Sequence, residues 1–404
     1  MGHLLLAALL ALAAPVVQAP LGQAPPAGAC SRPAPAHPVV TALPWPQLSL
    51  DPAAVWPFST GKGVTVAVVD SGVDSDHPQL RPRGAVLRGQ DFHLVGDLPG
   101  TFDCDSHGTA VASVIAARSA RGVGFAGLAP GSTILPVRVS DRGVTDRGDV
   151  EMIDPKVLAR GIWYAADHGA KVMNLSLAGS ADDRWIRDAV AYAVQRDVLV
   201  VAAAGNGQQG LTPQRSYPAG YDGVLGVGAV DESGRRLPGS QIGPQVDLVA
   251  PGGNVLAATR AGGHQYWQGT SFAAPFVAAT AALVRSAWPE LTAPQVTERI
   301  LATATPAPGG RGSQEYGAGL VNPFRAVTDG LVTTPAAAVP PAASPSPSAP
   351  VNRPPAVPIL LTAVVACLAL LLARSLATRR GWNARRAAPI GDRPAVVDVP
   401  ERLF

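Results

Sequence analysis

Val64 to Val69 is a continuous run, apolar but for Thr65, that ends in Asp70-Ser71-Gly72. Apolar residues without polar alternation suit a strand covered on both faces, as in a parallel sheet flanked by helices. Val198 to Ala204 is a second run of this kind and ends in Gly205-Asn206-Gly207. Two stretches have helical character instead. Ala110 to Ala117 is rich in Ala and Val and follows Ser106-His107-Gly108-Thr109, while Phe272 to Trp288, apolar nearly all round, follows Gly269-Thr270-Ser271. The expected fold class is therefore α/β, with a central, mostly parallel sheet between helical layers. In open parallel sheets, sites form outside the carboxyl ends of the strands. Asp70 stands at such an end.

These positions supply the side chains of nucleophilic catalysis. A Ser hydroxyl is nearly unreactive until an imidazole removes its proton and a third group fixes the tautomer of that ring. Ser271, His107 and Asp70 are the required types, at helix starts and a strand end. The first turn of a helix opening at Ser271 leaves backbone N–H groups without intrahelical partners, and the amide of Asn206 is a further donor for a developing oxyanion. Asp103 and Asp105 flank His107, and two readings stand side by side: negative charges that tune the imidazole, or solvated loop charges. In Asp74-Ser75-Asp76-His77-Pro78, His77 reads as the start of a helix before Pro78 rather than as a metal ligand. No segment has the carboxylate spacing of a dedicated calcium site, so neither a metal nor another cofactor is expected.

Asp-Ser-Gly, His-Gly-Thr, Ala-Ala-Gly-Asn and Gly-Thr-Ser-x-Ala-Ala-Pro, in the order Asp, His, Ser, resemble the subtilisin superfamily over roughly Leu43 to Thr328. The chain order separates them from chymotrypsin-like and α/β-hydrolase arrangements. The resemblance implies a three-layer subtilisin-like fold, with Ser271 as nucleophile, His107 as general base and then acid, Asp70 as orienting carboxylate and Asn206 as oxyanion donor. It also implies that Asn174 to Gly179 is a substrate-binding strand, in which Ser176, Leu177 and Ala178 receive a peptide by β-augmentation. Ala178 and the segment from Ala203 to Asn206 would wall the specificity pocket.

The remaining sequence speaks to location. Leu4 to Ala14 is an apolar core followed by Val17-Gln18-Ala19, which resembles a secretory signal over 1–19. Residues 20–42 form a Pro-rich arm, and 43–330 the peptidase domain. The segment 331–357, built from Ala, Pro, Ser and Thr, reads as a semi-rigid linker. Ala356 to Ala373 carries no charge and leads into Arg374, Arg379, Arg380, Arg385 and Arg386. This predicts a transmembrane helix over 358–376 and a cytoplasmic tail over 377–404, with the catalytic domain facing outward. The net charge of +3 gives no indication of nucleic-acid binding.

Of the three cysteines, Cys367 falls in the expected span. Cys30 and Cys104 are left on the outer side, where an oxidising compartment favours one disulfide between them; two separate thiols are the alternative. The sum of these features resembles the mycosins, membrane-anchored proteases of type VII secretion systems. Members of that family often carry a second disulfide, for which this chain has no cysteines left. The resemblance implies polypeptide substrates, a type VII secretion membrane complex as partner, and a serine endopeptidase that processes exported proteins. The alternative is a component that stabilises the secretion complex, with proteolysis secondary. The arm is too short for the large propeptide of secreted subtilisins and is expected to brace the domain permanently.

Overall fold

The computed structural model describes residues 25–94, 96–141 and 153–330. The expected signal, linker, transmembrane helix and tail lie outside these residues. Among the described residues, no helix is long and apolar enough to cross a membrane.

The first apolar run forms β1, Thr65–Asp70, and the second forms β5, Leu199–Ala203. With β2 (Gln90–Asp91), β3 (Thr133–Arg138), β4 (Val172–Leu175), β6 (Val224–Val230) and β7 (Leu248–Pro251) they build a seven-stranded sheet of order β2-β3-β1-β4-β5-β6-β7. Each neighbouring pair is parallel. Side chains alternate across the pleat, so β1 feeds two cores. Val66 and Val68 enter the larger one, with α3 (His107–Ala116) and α6 (Thr270–Ala287), whereas Ala67 and Val69 face α4 (Pro155–Asp167) and α5 (Arg184–Gln195). This is the three-layer α/β arrangement expected from the sequence.

The topology decides where a site can form. From β1 the chain runs to β2 and β3 on one side, and from β4 it runs to β5 on the other. The two strands are adjacent, with Val68 opposite Asn174. Their carboxyl ends therefore flank a crevice from which the chain departs to opposite sides, the usual position of a site in such sheets. A short hairpin, β8 (Val255–Ala258) with antiparallel β9 (His264–Trp267), leads directly into α6.

The N-terminal arm is strapped to this hairpin. His37 N–H donates to the Gly262 carbonyl, His264 N–H to the Pro38 carbonyl, and Val40 N–H to His264 Nδ1. Farther up the arm, Ala34 N–H donates to the Cys104 carbonyl, and Cys30 is disulfide-bonded to Cys104 across 74 residues of sequence. A cross-link of that span removes much of the freedom of the unfolded chain. Replacing both cysteines by Ser is expected to lower the unfolding free energy by roughly 2–4 kcal/mol, read as an earlier urea midpoint. The wild-type protein should show the same shift after reduction.

Candidate active site

Asp70 closes β1, and pairing to β3 and β4 on either side fixes its register. Gly72 then turns the chain with φ 101°, where a Cβ would strike the Phe102 carbonyl. His107 is the first residue of α3, and its predecessor Ser106 lies in the left-handed region with φ 85°. The Ser106 side chain does not cap the helix. The cap comes instead from elsewhere in the chain: Gly108 N–H donates to Ser71 Oγ at 3.0 Å and Thr109 N–H to Asp103 Oδ2 at 2.9 Å.

Asp103 is the centre of this cap. Only 2% exposed, its carboxylate accepts from Ser71 Oγ, the Asp105 and Ser106 N–H groups, and both the N–H and Oγ1 of Thr109. Burial pushes its pKa up to about 6, against the hydrogen bonds from Thr109 and Asp105 that favour the anion. It is thus a buried structural acceptor rather than a solvated loop charge.

The cap brings His107 onto Asp70. Nδ1 of His107 lies 2.7 Å from Asp70 Oδ1, both side chains are buried, and the same oxygen accepts from Ser71 N–H. The approach demands glycine at 108, because a Cβ there would fall on the Gly72 carbonyl oxygen. Phe272 meets the imidazole edge-on with ring centroids 5.1 Å apart, and Trp267 stacks on Phe272. Burial disfavours the imidazolium, but the charge and hydrogen bond of Asp70, with smaller contributions from Asp105 and Asp103, outweigh it. The pKa of His107 lies above its ordinary 6.5. His107 Nε2 is buried and has no hydrogen-bond partner among the described residues.

Ser271 is the second residue of α6 and is 4% exposed. Its Oγ donates to the Ser176 carbonyl at 3.2 Å. Asn206 projects from the loop after β5, where its Oδ1 accepts from both the N–H and Oγ1 of Thr270. That anchors the carbonyl end of the amide and leaves Nδ2 as a donor at the cleft. The cleft has a volume of about 520 Å³, and Ala178, Ala203, Gly205, Asn206 and Ser271 line it.

The sequence-derived residues do not all face this cleft. In the extended segment after β4, Ser176 and Ala178 share one side, Ser176 bonding to Ser271 and Ala178 lining the cleft. Leu177 points the other way and packs against the α4/α5 core, so it can offer a peptide its backbone only. His77 starts no helix. It is buried in a turn, with Nδ1 accepting from Gln79 N–H and Nε2 meeting the Gly263 carbonyl beneath the arm. Among the described residues, no group of three or more His, Cys, Asp or Glu side chains is placed to hold a metal ion. Sequence reasoning missed the far wall of the cleft, Leu237 to Gln241. It also missed Arg260, whose side chain bridges the Ala34 and Asp103 carbonyls and whose N–H donates to Ser106 Oγ.

The subtilase family profile of peptidase S8 matches residues 61–319. Subtilisin NAT of Bacillus subtilis subsp. natto is 38% identical over 264 residues, 65% of this chain and 65% of that protein. The chain thus spans just under two thirds of the length of that relative. Among solved structures, the MycP3 protease from the type VII (ESX-3) secretion system matches with a TM-score of 0.62 and 32% identity, covering 74% of this chain and 95% of that one. The serine protease MycP1, an essential component of the type VII (ESX-1) secretion system, matches with a TM-score of 0.63 and 34% identity, covering 74% and 93%.

Because five donors converge on one buried carboxylate, Asp103→Asn turns an N–H2 group toward donors that need an acceptor. The substitution is expected to cost roughly 2–4 kcal/mol of stability, measured by urea unfolding.

Proposed function

This chain belongs to the subtilase family, and from that premise we propose that it is a serine endopeptidase in which Ser271, His107 and Asp70 act as the triad and Asn206 as oxyanion donor. The observation that carries this reading is the buried 2.7 Å contact of His107 Nδ1 with Asp70 Oδ1, with the imidazole packed on Phe272, which lines the cleft beside Ser271. Asp70 keeps the proton of His107 on Nδ1, so Nε2 is the basic nitrogen.

In the first step Ser271 Oγ leaves the Ser176 carbonyl, transfers its proton to His107 Nε2 and bonds to the carbon of the scissile carbonyl. The carbonyl oxygen becomes an oxyanion that accepts from Asn206 Nδ2 and from a first-turn N–H of α6. Of those N–H groups, that of Thr270 is taken by Asn206 Oδ1 and that of Phe272 turns back to the Gly269 carbonyl. That of Ser271 lies between them. Collapse of the intermediate breaks the C–N bond as His107 returns the proton to the leaving amine. Water then enters, gives a proton to His107 and bonds to the acyl carbon, and Ser271 Oγ departs with that proton restored. The peptide pairs with the backbone of Ser176 to Ala178 by β-augmentation.

The likeness to MycP1 and MycP3 supports a place for this enzyme at a type VII secretion system. There it would process exported polypeptides, held at the outer face of the cell membrane by the span at 358–376. Among the described residues, the cleft lining contains no charged side chain, which suits an uncharged residue before the scissile bond.

A fluorophosphonate that reacts with activated serine is the direct test. The wild-type protein should be labelled, while Ser271→Ala and His107→Ala should not. A well-folded protein that resists labelling would turn the reading toward a stabilising component of the secretion complex. For Asn206→Ala, kcat on a peptide substrate should fall roughly 10²–10³-fold, the loss known for removal of such a donor in subtilisin. The pH profile is a separate prediction. The neutral imidazole is the working base, and its pKa is raised, so activity should fall on the acid side with a midpoint above 6.5.

A further inference from the structure

α6 carries a proline one turn into the helix, and its consequence reaches the adjoining strand. The carbonyl of Ser271 would ordinarily accept from the N–H four residues on, but that residue is Pro275, which has none. The carbonyl is nonetheless bonded: Ser176 Oγ donates to it at 2.6 Å. Ser176 Oγ in turn accepts from Asn174 Nδ2 at 2.8 Å. All three residues are buried, with Asn174 at 0%, Ser176 at 1% and Ser271 at 4% exposure. The donors run in one direction, amide to hydroxyl to carbonyl, the arrangement in which hydrogen bonds reinforce one another.

We infer that the Ser176 hydroxyl, oriented by Asn174, is the positioning group that sets the place of Ser271 in the active site. The inference rests on the triad reading above and adds to it a role for a side chain whose backbone alone that reading uses. The backbone of Ser176 faces the peptide, whereas its hydroxyl grips the nucleophile from behind. The grip is reciprocal, because Ser271 Oγ rests on the Ser176 carbonyl. Asn174 pairs with Val68 of β1, two residues before Asp70. One pair of neighbouring strands therefore carries the carboxylate that orients His107 and the Asn174 amide, and Ser176, whose hydroxyl holds Ser271, follows directly on the second of them.

The test compares full-length Ser176→Ala, Ser176→Thr and Asn174→Leu with wild type by two readouts. The first is the second-order rate of fluorophosphonate labelling, alongside kcat and KM on a peptide ester. Ser176→Ala leaves the Ser271 carbonyl buried without a donor, so labelling and kcat should fall about 10- to 100-fold. KM should move less than about threefold, since the peptide-pairing backbone remains. Ser176→Thr restores a hydroxyl and should recover most of the loss, and Asn174→Leu should show a smaller fall of the same kind. The second readout needs no activity: hydrogen exchange in the first turn of α6 should quicken in Ser176→Ala and return toward wild type in Ser176→Thr. A loss in Ser176→Ala that appears in KM alone, or exchange unchanged in that variant, overturns the inference. If Ser176→Ala does not fold, Asn174→Leu with unaltered kcat and unaltered exchange overturns it equally. Absence of labelling in wild type would sink the triad reading, while the exchange comparison would still decide the grip.

Discussion

The carboxylate of Asp103 ties together parts of the chain that the sheet alone would leave loose. The His107 side chain begins a helix whose capping residue, Ser106, is twisted into the left-handed region and contributes no side-chain cap. Without outside acceptors, the N–H groups of that first turn would be buried and unpaired, at a cost of about 1–3 kcal/mol each. Asp103 meets this need for Thr109 and reaches Ser71, whose hydroxyl meets it for Gly108. Since Ser71 adjoins Asp70, one buried anion sets the position of the imidazole relative to its carboxylate partner. The arm reinforces the same loop, because the disulfide enters it at Cys104 and Arg260 binds the Asp103 carbonyl.

A second buried anion supports the other side of β1. Arg138, opposite Asp70 in the sheet register, is fully buried and pairs with the fully buried Asp91 at 2.9 Å. It also donates to Asp141 and lies over the ring of Phe102. Such pairs add little net stability but penalise any arrangement that would separate them. Here the penalised alternatives are those that move the strand next to Asp70, or the Phe102 segment against which Gly72 is packed. Buried charge thus fixes geometry around the site while the two apolar cores supply the driving force for folding.

The elements around the site were legible where the signal was local. Apolar runs without alternation gave β1 and β5, and small residues behind His107 and Ser271 gave α3 and α6, so Asp70, His107, Ser271 and Asn206 could be placed at element ends. What escaped sequence reasoning is set by long-range contact. Asp103 looks like any acidic residue in a polar loop, and only the fold places it beneath α3. Leu177 sits within a motif whose backbone faces the cleft, yet pleat alternation sends its side chain to the opposite core. His77 precedes a proline, which suggested a helix start, but its environment is decided by Gly263 on the β8–β9 hairpin, 186 residues away. Pro275 belongs to the Gly-Thr-Ser-x-Ala-Ala-Pro motif, and its effect on Ser271 becomes visible only once Ser176 lies beside it.

For the triad proposed above, the resting arrangement leaves one step before reaction, a turn of the Ser271 hydroxyl. Ser271 Oγ donates to the Ser176 carbonyl, and His107 Nε2 is unpartnered. In that proposal, turning the hydroxyl from the Ser176 carbonyl to His107 Nε2 would exchange one hydrogen bond for another, a change on the order of 1 kcal/mol. The costly parts of the geometry, the buried imidazole against Asp70 and the seat of α6 on the sheet, are already in place. In the proposed β-augmentation, a bound peptide would bring backbone N–H groups to the segment of Ser176, where they would compete with the Ser271 hydroxyl for the Ser176 carbonyl. In the triad proposed above, substrate docking and release of Ser271 toward His107 are therefore coupled through a single oxygen atom, the carbonyl of Ser176, which follows directly on β4, the strand paired with β1.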